Sequence, residues 1–485
     1  MFSLYELAGV ATNLLAGMAG ATWGLRTTHV SGLAVQFLGI AMLCGWKDSW
    51  SKPTAILYVT VAQMLNGIAK DLVKLGGKAV TKLVTPEGKQ GTLFSLVSYV
   101  TGFKNSMKGV GYLVGAAVVS AWPEQGYLYA LFLNLSLMLI CLPPALFALT
   151  GDLGTAKSKS VTLQQVLFNG NANLNWLSLA RLFLFGARDL WFEVALPFYL
   201  RSPPCPSVHV SCAGAVAACP EGTFCGFRNE THRLGGGLRY YDEPEGEAKG
   251  LPGQTCEMIN HRSGCGGLGM GMHLVGLVLA VYIIVYGQMQ AFTPQLVLAP
   301  LAQTPPNKYV ECLWCSIMII PPLFLGAASL VDPAFDRGDN DVPHMLAVLF
   351  VGVTAFALIF AINSSVHSYL VLRYAEGDKV STSVGFYYMA NAAGRLIGTL
   401  VSGAIYSYAQ PGFSTTGMGW CYVAGAVSSV CATAVTFMID DNGRGLRCGG
   451  CVCIDAGEED EGDDGDNGEG AQAGSGGRGL NAMDG

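Results

Sequence analysis

The chain has 485 residues, of which 51% are hydrophobic and only 13% are charged. A soluble domain carries about 25% charged residues, so this composition excludes an ordinary soluble protein and indicates one that lies in lipid. The formal charge of −6 comes from the tail, because residues 455–485 hold ten acidic side chains and one arginine and the rest is mildly basic. We expect no nucleic-acid partner and no cofactor, and the opening lacks the basic segment of a cleavable signal peptide.

Apolar runs long enough to cross about 30 Å of hydrocarbon recur along the whole chain. They predict an all-α membrane protein with eleven transmembrane helices. The runs fall near residues 4–24, 28–46, 54–74, 92–121, 127–149, 174–200, 269–298, 311–331, 344–372, 383–408 and 416–438.

The loops between these runs alternate in charge. One set is basic, with Lys82 and Lys89 after the third run and Lys157 after the fifth, whereas the other set is acidic or neutral. Because the cytoplasmic loops of membrane proteins are enriched in lysine and arginine, the basic set is predicted to face the cytosol. Residues 201–268 are then extracellular.

This extracellular segment contains six cysteines and a glycosylation sequon at Asn229. An even number of cysteines suits disulfide formation in an oxidising compartment, and a sequon is used only on that side of the membrane. A metal site here is disfavoured because no CxxC pair is present, so we expect no metal ligands. The disulfide candidates are Cys205, Cys212, Cys219, Cys225, Cys256 and Cys265.

The number of runs also predicts the topology. Eleven runs ending in the cytosol begin outside the cell, so we expect one further helix ahead of the first run. Two six-helix halves with a site between them describe the major facilitator superfamily fold. The predicted domains are the N-terminal half (1–150), a cytosolic connector (151–173), the C-terminal half (174–440) and a disordered acidic tail (441–485).

Several ionisable residues fall inside the apolar runs. Each costs about 2.5–3.5 kcal/mol at mid-bilayer and therefore usually marks a transport path. Arg181 and Arg188 are seven residues apart, on one helical face. Cations outnumber anions by four, which indicates that a multiply charged anion, such as a phosphate ester, supplies the missing charge. The cations are Lys70, Lys74, Lys104, Lys108, Arg181, Arg188 and Arg395, and the anions are Asp71, Asp189 and Glu193.

Structural interpretations stay open for some of these residues. Lys70 and Lys74 can extend to the cytosolic interface instead of facing a cavity. Arg188 and Asp189 can form a helix-packing pair. His367, near the cytosolic end of its run, is more often a buried hydrogen-bonding histidine than a proton carrier.

Three stretches are the most distinctive in the chain. The first is AQMLNGIAKDLVKLGGKAVTKLV (62–84), which continues through GFKNSMKGVGYLVG (102–115). The others are ARLFLFGARDLWFEVALPFYL (180–200) and SSVHSYLVLRYAEGDKVSTSVGFYYMANAAGRLIGTLVSGAIY (364–406). All three closely resemble the ArsJ-type organoarsenical efflux permeases of the major facilitator superfamily, and the resemblance extends over nearly every apolar run.

The resemblance implies export of 1-arseno-3-phosphoglycerate for arsenate detoxification. This ester forms when glyceraldehyde-3-phosphate dehydrogenase uses arsenate in place of phosphate, which links the chain functionally to that enzyme. The family begins with one more helix than this chain has. The chain departs from the bacterial pattern in its insertion at 203–267 and its cysteine-bearing segment at 447–453.

The hypothesis is therefore a multi-pass exporter, by default in the plasma membrane. The alternative is an exporter or exchanger of ordinary organic or sugar phosphates, and a receptor on a transporter scaffold is a further reading. An enzyme is disfavoured because the loops lack an HExxH motif or a comparable acid–base and metal cluster, and ATP-driven transport is disfavoured because no P-loop is present. The predicted substrate-binding residues are Lys70, Lys104, Lys108, Arg181, Arg188, Tyr387, Tyr388, Asn391 and Arg395, and the predicted coupling or orienting residues are Asp71, Asp189, Glu193 and His367.

Overall fold

The structure is a computed structural model. It describes residues 2–47, 49–86, 88–147, 170–201, 207–211, 223–229, 239–240, 254–260, 267–331, 342–375, 380–408, 414–441, 445–448 and 451–454.

The first helices follow the predicted apolar runs closely. They are α1 (Phe2–Trp23), α2 (Leu25–Cys44), α3 (Lys52–Val84), α4 (Gln90–Ala121) and α5 (Gly126–Phe147). The later helices are α6 (Ala172–Asp189), α7 (Ala195–Arg201), α8 (Met272–Thr293), α9 (Lys308–Ile317), α10 (Ile320–Val331), α11 (Val342–Tyr374), α12 (Val380–Tyr408) and α13 (Ser414–Thr436).

Two predicted runs are interrupted by proline. Pro197 cannot donate a hydrogen bond to the Glu193 carbonyl, and its ring would clash with that carbonyl in a continuous helix. The run 174–200 therefore divides into α6 and α7, with a turn at 190–194. Pro321 and Pro322 lie in the first turn of α10, where the missing N–H groups cost little, and they follow the break after α9.

Among the described residues, seven helical segments are long and apolar enough to cross a membrane, and the chain is an integral, multi-pass membrane protein. They are 26–44, 52–74, 126–147, 273–298, 308–331, 344–374 and 416–436. The helices that carry most of the interior cations, α4 and α6, are not among these seven. The count of eleven spans stays a prediction.

The helices form two groups, α1–α5 and α6–α13. The two groups of helices meet along the pairs α4–α8 and α1–α12. At the first pair, a β-carbon on Gly287 would lie 2.5 Å from the backbone nitrogen of Ser106 and 2.7 Å from the carbonyl oxygen of Gly102. At the second, a β-carbon on Gly385 would lie 2.8 Å from the Cα of Gly17. Glycine is required at both crossings because the backbones approach too closely for a side chain.

Apolar side chains form two buried clusters. One lies among the later helices and includes Trp191, Phe356 and Tyr422. The other joins the two groups of helices, since Phe94 of α4 packs edge-on against Tyr369 of α11 with ring centroids 5.4 Å apart.

The sequence prediction of an all-α protein missed two small antiparallel sheets. Strands β1 (Ser207–Ser211), β2 (Thr223–Asn229), β3 (Arg239–Tyr240) and β4 (Gln254–Asn260) lie in the predicted extracellular segment in the order β1-β4-β2-β3. Strands β5 (Leu446–Cys448) and β6 (Cys451–Ile454) form a hairpin after α13. Both lie outside the apolar runs on which the prediction was based.

Candidate functional site

A cavity of about 550 Å³ lies between the two groups of helices. This volume is within the range of small-molecule sites, about 300–1,000 Å³. Residues of α1, α2, α3, α4, α6, α8, α11 and α12 line it, together with Phe192 and Glu193 from the turn after α6.

Most of the residues that sequence analysis singled out for substrate binding meet at this cavity. Tyr387 is the exception, because its side chain is fully buried behind the wall, with its ring centroid 5.1 Å from the Arg181 guanidinium carbon. Consecutive helical residues point about 100° apart, and in α12 this directs Tyr388 to the cavity and Tyr387 into the wall. The predicted residues that line the cavity are Lys70, Lys104, Lys108, Arg181, Arg188, Tyr388, Asn391 and Arg395.

At one end of the cavity, two arginines are already matched to carboxylates. Arg188 Nε donates to Asp189 Oδ1 at 2.5 Å, and Arg395 Nε donates to Asp189 Oδ2 at 2.9 Å. Arg395 Nη2 lies 2.8 Å from Glu193 Oε1 and 3.0 Å from Glu6 Oε1. We call these five residues the acid–arginine cluster. Asp189 is fully buried and orients both guanidinium groups, as bidentate pairing allows.

Glu6 corrects the charge balance inferred from sequence. Sequence analysis did not count Glu6 among the interior anions. In the structure it is 3% exposed and lines the cavity. The cavity and its immediate wall therefore hold seven cations and four carboxylates, an excess of +3 instead of +4. Carboxylates already pair with Arg188 and Arg395, so less of their charge is available to a ligand, and their contact with the substrate stays a prediction.

The remaining positive charge is concentrated in Lys104, Lys108 and Arg181, which we call the basic cluster. All three line the cavity, and within the described part of the chain none has a carboxylate within 4.0 Å. The lysines are four residues apart on α4 and so extend from one face of that helix into the cavity. Their side chains are exposed to it.

Neutral groups hold Arg181 in place. Its Nε donates to Asn391 Oδ1 at 3.2 Å, and its two terminal nitrogens lie 3.5 Å from Ser364 Oγ. The guanidinium carbon lies 4.0 Å from the centroid of the Phe185 ring. Stacking and neutral acceptors fix the orientation of the guanidinium without cancelling its charge.

A polar network continues from Ser364 across three helices. Gln290 Nε2 donates to Ser364 Oγ at 3.1 Å, and Asn105 Nδ2 donates to Gln290 Oε1 at 2.7 Å and to Tyr286 Oη at 3.1 Å. Asn105 directly follows Lys104, so the network fixes this part of α4 beside α8 and α11. Sequence analysis missed the network because single amides in apolar helices give no pairing signal.

Lys74 and Asp71 lie one turn apart in the half of α3 that the loop charges assign to the cytosolic side. Their charged atoms are 3.9 Å apart, and Lys74 Nζ lies 3.6 Å from the centroid of the Tyr388 ring. Asp71 is 2% exposed and lies behind the wall, whereas Lys70 and Lys74 line the cavity. Asp71 therefore has a local partner and does not contact the basic cluster directly.

His367 lies away from the cavity, against Glu311 of α9. Its Nε2 is 2.9 Å from Glu311 Oε1, and Cys315 Sγ contacts the same oxygen at 3.2 Å. Sequence analysis did not identify Glu311 and Cys315 as neighbours of His367. Their i, i+4 spacing in ECLWC was the only available signal, and His367 comes from a different helix.

The predicted disulfides are largely untested. Cys205, Cys212, Cys219 and Cys265 lie outside the described residues, while Cys225 and Cys256 belong to β2 and β4. In the strand register, Cys256 is opposite Phe227, and Cys225 is opposite Met258. Asn229, the glycosylation candidate, ends β2. The pairing and the glycosylation stay predictions.

Comparisons with known proteins agree on the fold. No family model matches the sequence, and no curated protein matches it. The human organic anion transporter MFSD10 (TETRAN) is similar in structure, with a TM-score of 0.56, 13% identity and coverage of 90% of this chain and 83% of that one. A bacterial homologue of the iron transporter ferroportin is similar with a TM-score of 0.55 and 10% identity, and the match covers 90% of this chain and 88% of that one. The proton:xylose symporter XylE gives 0.57, 10% identity and coverage of 90% and 84%. The chain therefore has the fold of major facilitator superfamily transporters.

Proposed function

We propose that this protein is a transporter that moves a multiply charged, phosphate-bearing anion through its central cavity. The observation that carries the proposal is the basic cluster, in which Lys104, Lys108 and Arg181 line the cavity without a carboxylate partner among the described residues. The fold, which is shared with transporters of several substrates, supports transport but does not select the cargo.

The charge balance favours an anion. Cations placed together in a membrane interior repel one another and lose hydration, so a site with an excess of +3 is stabilised when an anion enters. Arg181 provides a planar fork that suits phosphate-like oxygens, and Lys104 and Lys108 add point charge. Amide and hydroxyl groups of Asn66, Asn391 and Tyr388 also line the cavity and can bind the rest of a small polar substrate.

Contacts between the two groups of helices lie on the side that the loop charges assign to the cytosol. Lys82 Nζ donates to the carbonyl oxygens of Leu372 and Ala375 at 2.5 and 2.6 Å. Ser98 and Ser365 share a hydrogen bond of 2.5 Å deeper in the same interface. Cytosolic loading then requires these contacts to break, as in alternating access by rocking of two halves.

The specific cargo that we propose is 1-arseno-3-phosphoglycerate, exported after it forms on glyceraldehyde-3-phosphate dehydrogenase. The support for this choice is the sequence resemblance to ArsJ-type permeases in the helices that line the cavity, together with the excess of positive charge. Ordinary organic or sugar phosphates are the second candidate, because the basic cluster suits any compact phosphate ester equally well.

We further propose that Glu193 is the group through which a proton is coupled to transport. The acid–arginine cluster contains three carboxylates and two arginines, so one carboxylate can take up a proton without leaving an arginine unmatched. Both Asp189 and Glu193 contact the two arginines, but Glu193 is 17% exposed and lines the cavity, whereas Asp189 is fully buried. We therefore assign to Asp189 the orientation of the two arginines and to Glu193 the uptake of the coupling proton.

The test is uptake into inside-out vesicles that contain the protein. Freshly generated arsenylated ester should accumulate, and excess phosphoglycerate should compete weakly. Comparable transport of both compounds would replace the arsenical cargo with a general organic phosphate. Absence of uptake for both, in vesicles that contain folded protein, would contradict the transport proposal itself.

A further inference from the structure

Three metal-ligating side chains meet inside the C-terminal helices, outside the central cavity. Glu311 and Cys315 lie one turn apart on α9, and His367 faces them from α11. Their ligand atoms lie within 4.8 Å of one another, and all three side chains are fully buried. None of the three is among the residues that line the central cavity.

Neighbouring side chains account for only one oxygen of the Glu311 carboxylate, because His367 Nε2 and Cys315 Sγ both contact Oε1. Its place in the first turn of α9 stabilises a negative charge only slightly, whereas burial of a carboxylate with one oxygen unpaired is costly. Within the described residues no lysine or arginine lies within 4.0 Å of it, and its buried Oε2 accepts no hydrogen bond. Lys308, one turn earlier, donates instead to the Ile439 carbonyl at 2.8 Å.

A second oxygen beside this group also lacks a donor. Asn363 lies one turn before His367 on α11, and its Nδ2 donates to the Trp314 carbonyl at 3.0 Å, next to Cys315. Its buried Oδ1 has no hydrogen-bond partner in the described part of the chain. Buried oxygens in folded proteins usually accept a hydrogen bond, and a cation held by the Glu–Cys–His group would give these two oxygens a positive partner.

We propose that Glu311, Cys315 and His367 bind one divalent transition-metal ion of the Zn²⁺ class. Zn²⁺ binds histidine nitrogen at about 2.0–2.1 Å, carboxylate oxygen at about 2.0–2.2 Å and thiolate sulfur at about 2.3 Å, which separates tetrahedral ligand atoms by about 3.3–3.7 Å. The contacts of 2.9 Å from His367 to Glu311 and 3.2 Å from Cys315 to Glu311 need to open by only a few tenths of an ångström.

The charges also balance. Cys315 releases its thiol proton to solvent when the ion binds, as metal-bound cysteines do, and Glu311 binds as a carboxylate. The thiolate and the carboxylate together neutralise a charge of +2, and His367 binds as the neutral imidazole. The loaded site is therefore uncharged, which suits an apolar interior, and it ties α9 to α11.

Cobalt titration tests the proposal directly. The full chain is purified in detergent, treated with a chelator and titrated with Co²⁺, while sulfur-to-cobalt charge-transfer absorption is followed. We expect the charge-transfer band to saturate at one Co²⁺ ion per protein. C315S should abolish the binding of this ion, and E311Q should lower the affinity for Co²⁺ at least about tenfold. C312S is the matched control, because Cys312 is a buried cysteine on the same helix that does not belong to the group.

The exposed cysteines of the β5–β6 hairpin are removed in a parallel variant, C448S/C451S/C453S, which should retain the buried equivalent. A wild-type protein that develops no charge-transfer band would overturn the proposal without any substitution. A band that survives in C315S at full intensity, or that disappears with the hairpin variant, would overturn it equally. Elution as a single species on gel filtration shows that C315S has folded.

Discussion

The acid–arginine cluster and the basic cluster face the same cavity but differ in how their charges are balanced. Arg188 and Arg181 lie two turns apart on α6, yet Arg188 contacts Asp189 and Glu193, whereas the partners of Arg181 among the described residues are neutral groups and aromatic rings. The first arrangement stabilises the protein without a ligand. The second leaves charge available for a ligand. A count of interior charges therefore predicts the presence of an anion site but not which arginine belongs to it.

Removal of Arg395 should produce the largest loss of stability. R395Q leaves Glu6, Glu193 and Asp189 beside one another with a single arginine, and breaking a buried ion pair costs about 3–5 kcal/mol. Arg395 is 19% exposed, so we expect about 2–4 kcal/mol, measured as a fall in the free energy of unfolding in detergent.

The double variant R395Q/E193Q serves as the control for this prediction. It removes one positive and one negative charge together and should recover part of the lost stability. An R395Q protein as stable as the wild type would show that the cluster does not have the structural role assigned to it.

Neutralising the two lysines of the basic cluster should weaken ligand binding without lowering the stability of the protein. K104Q/K108Q removes two charges that repel each other and Arg181, so the unliganded protein should be at least as stable as the wild type. Binding of an anionic substrate should weaken about 100-fold or more, since each charge-assisted hydrogen bond contributes about 1.5–3 kcal/mol. Equilibrium binding of phosphoglycerate measures this change.

K52Q is the matched control for the lysines, because Lys52 is exposed at the start of α3 and lies outside the cavity. It should bind the anion as the wild type does. If K104Q/K108Q loses stability and keeps its affinity, the two clusters have been assigned the wrong roles.

The shape of the Arg181 side chain should matter less than its charge. R181K keeps the charge and loses the bidentate fork and the stacking on Phe185, so affinity should fall about tenfold, whereas R181Q should lose substantially more. Equal affinities for the two variants would show that Arg181 does not contact the anion.

The smallest change in stability is expected at Glu193. E193Q leaves two carboxylates for two arginines, so the free energy of unfolding should stay within about 1 kcal/mol of the wild type. Uptake should nevertheless stop responding to an imposed proton gradient. Uptake by E193Q that follows the gradient as the wild type does would assign Glu193 a purely orienting role.

Local spacing predicted some features of the site and could not predict others. Positions seven apart placed Arg181 and Arg188 on one face of α6, and positions four apart placed Lys104 and Lys108 together, because helical periodicity fixes which residues share a face. Contacts between distant helices were not accessible. Glu6 meets Arg395 only after α1 packs against α12, and nothing near Glu6 in the sequence indicates that partner.

The same reasoning applies to two other differences between the prediction and the structure, at Tyr387 and at the helix break after Asp189. Tyr387 and Tyr388 are adjacent, and only the packing of α12 decides that Tyr388 faces the cavity while Tyr387 lies behind it. The apolar runs located the helices because hydropathy is a local property. The break after Asp189 was not predicted, although Pro197 in the sequence is its cause.

Equilibrium binding to the purified protein tests the central claim most directly. Phosphoglycerate, a multiply charged anion, and glycerol, a neutral analogue, are each titrated into the wild type and into K104Q/K108Q/R181Q. We predict that the wild type binds the anion and not the neutral analogue, and that the triple variant folds but binds neither. Anion binding of equal strength in the triple variant, or no anion binding by the folded wild type, would contradict the account.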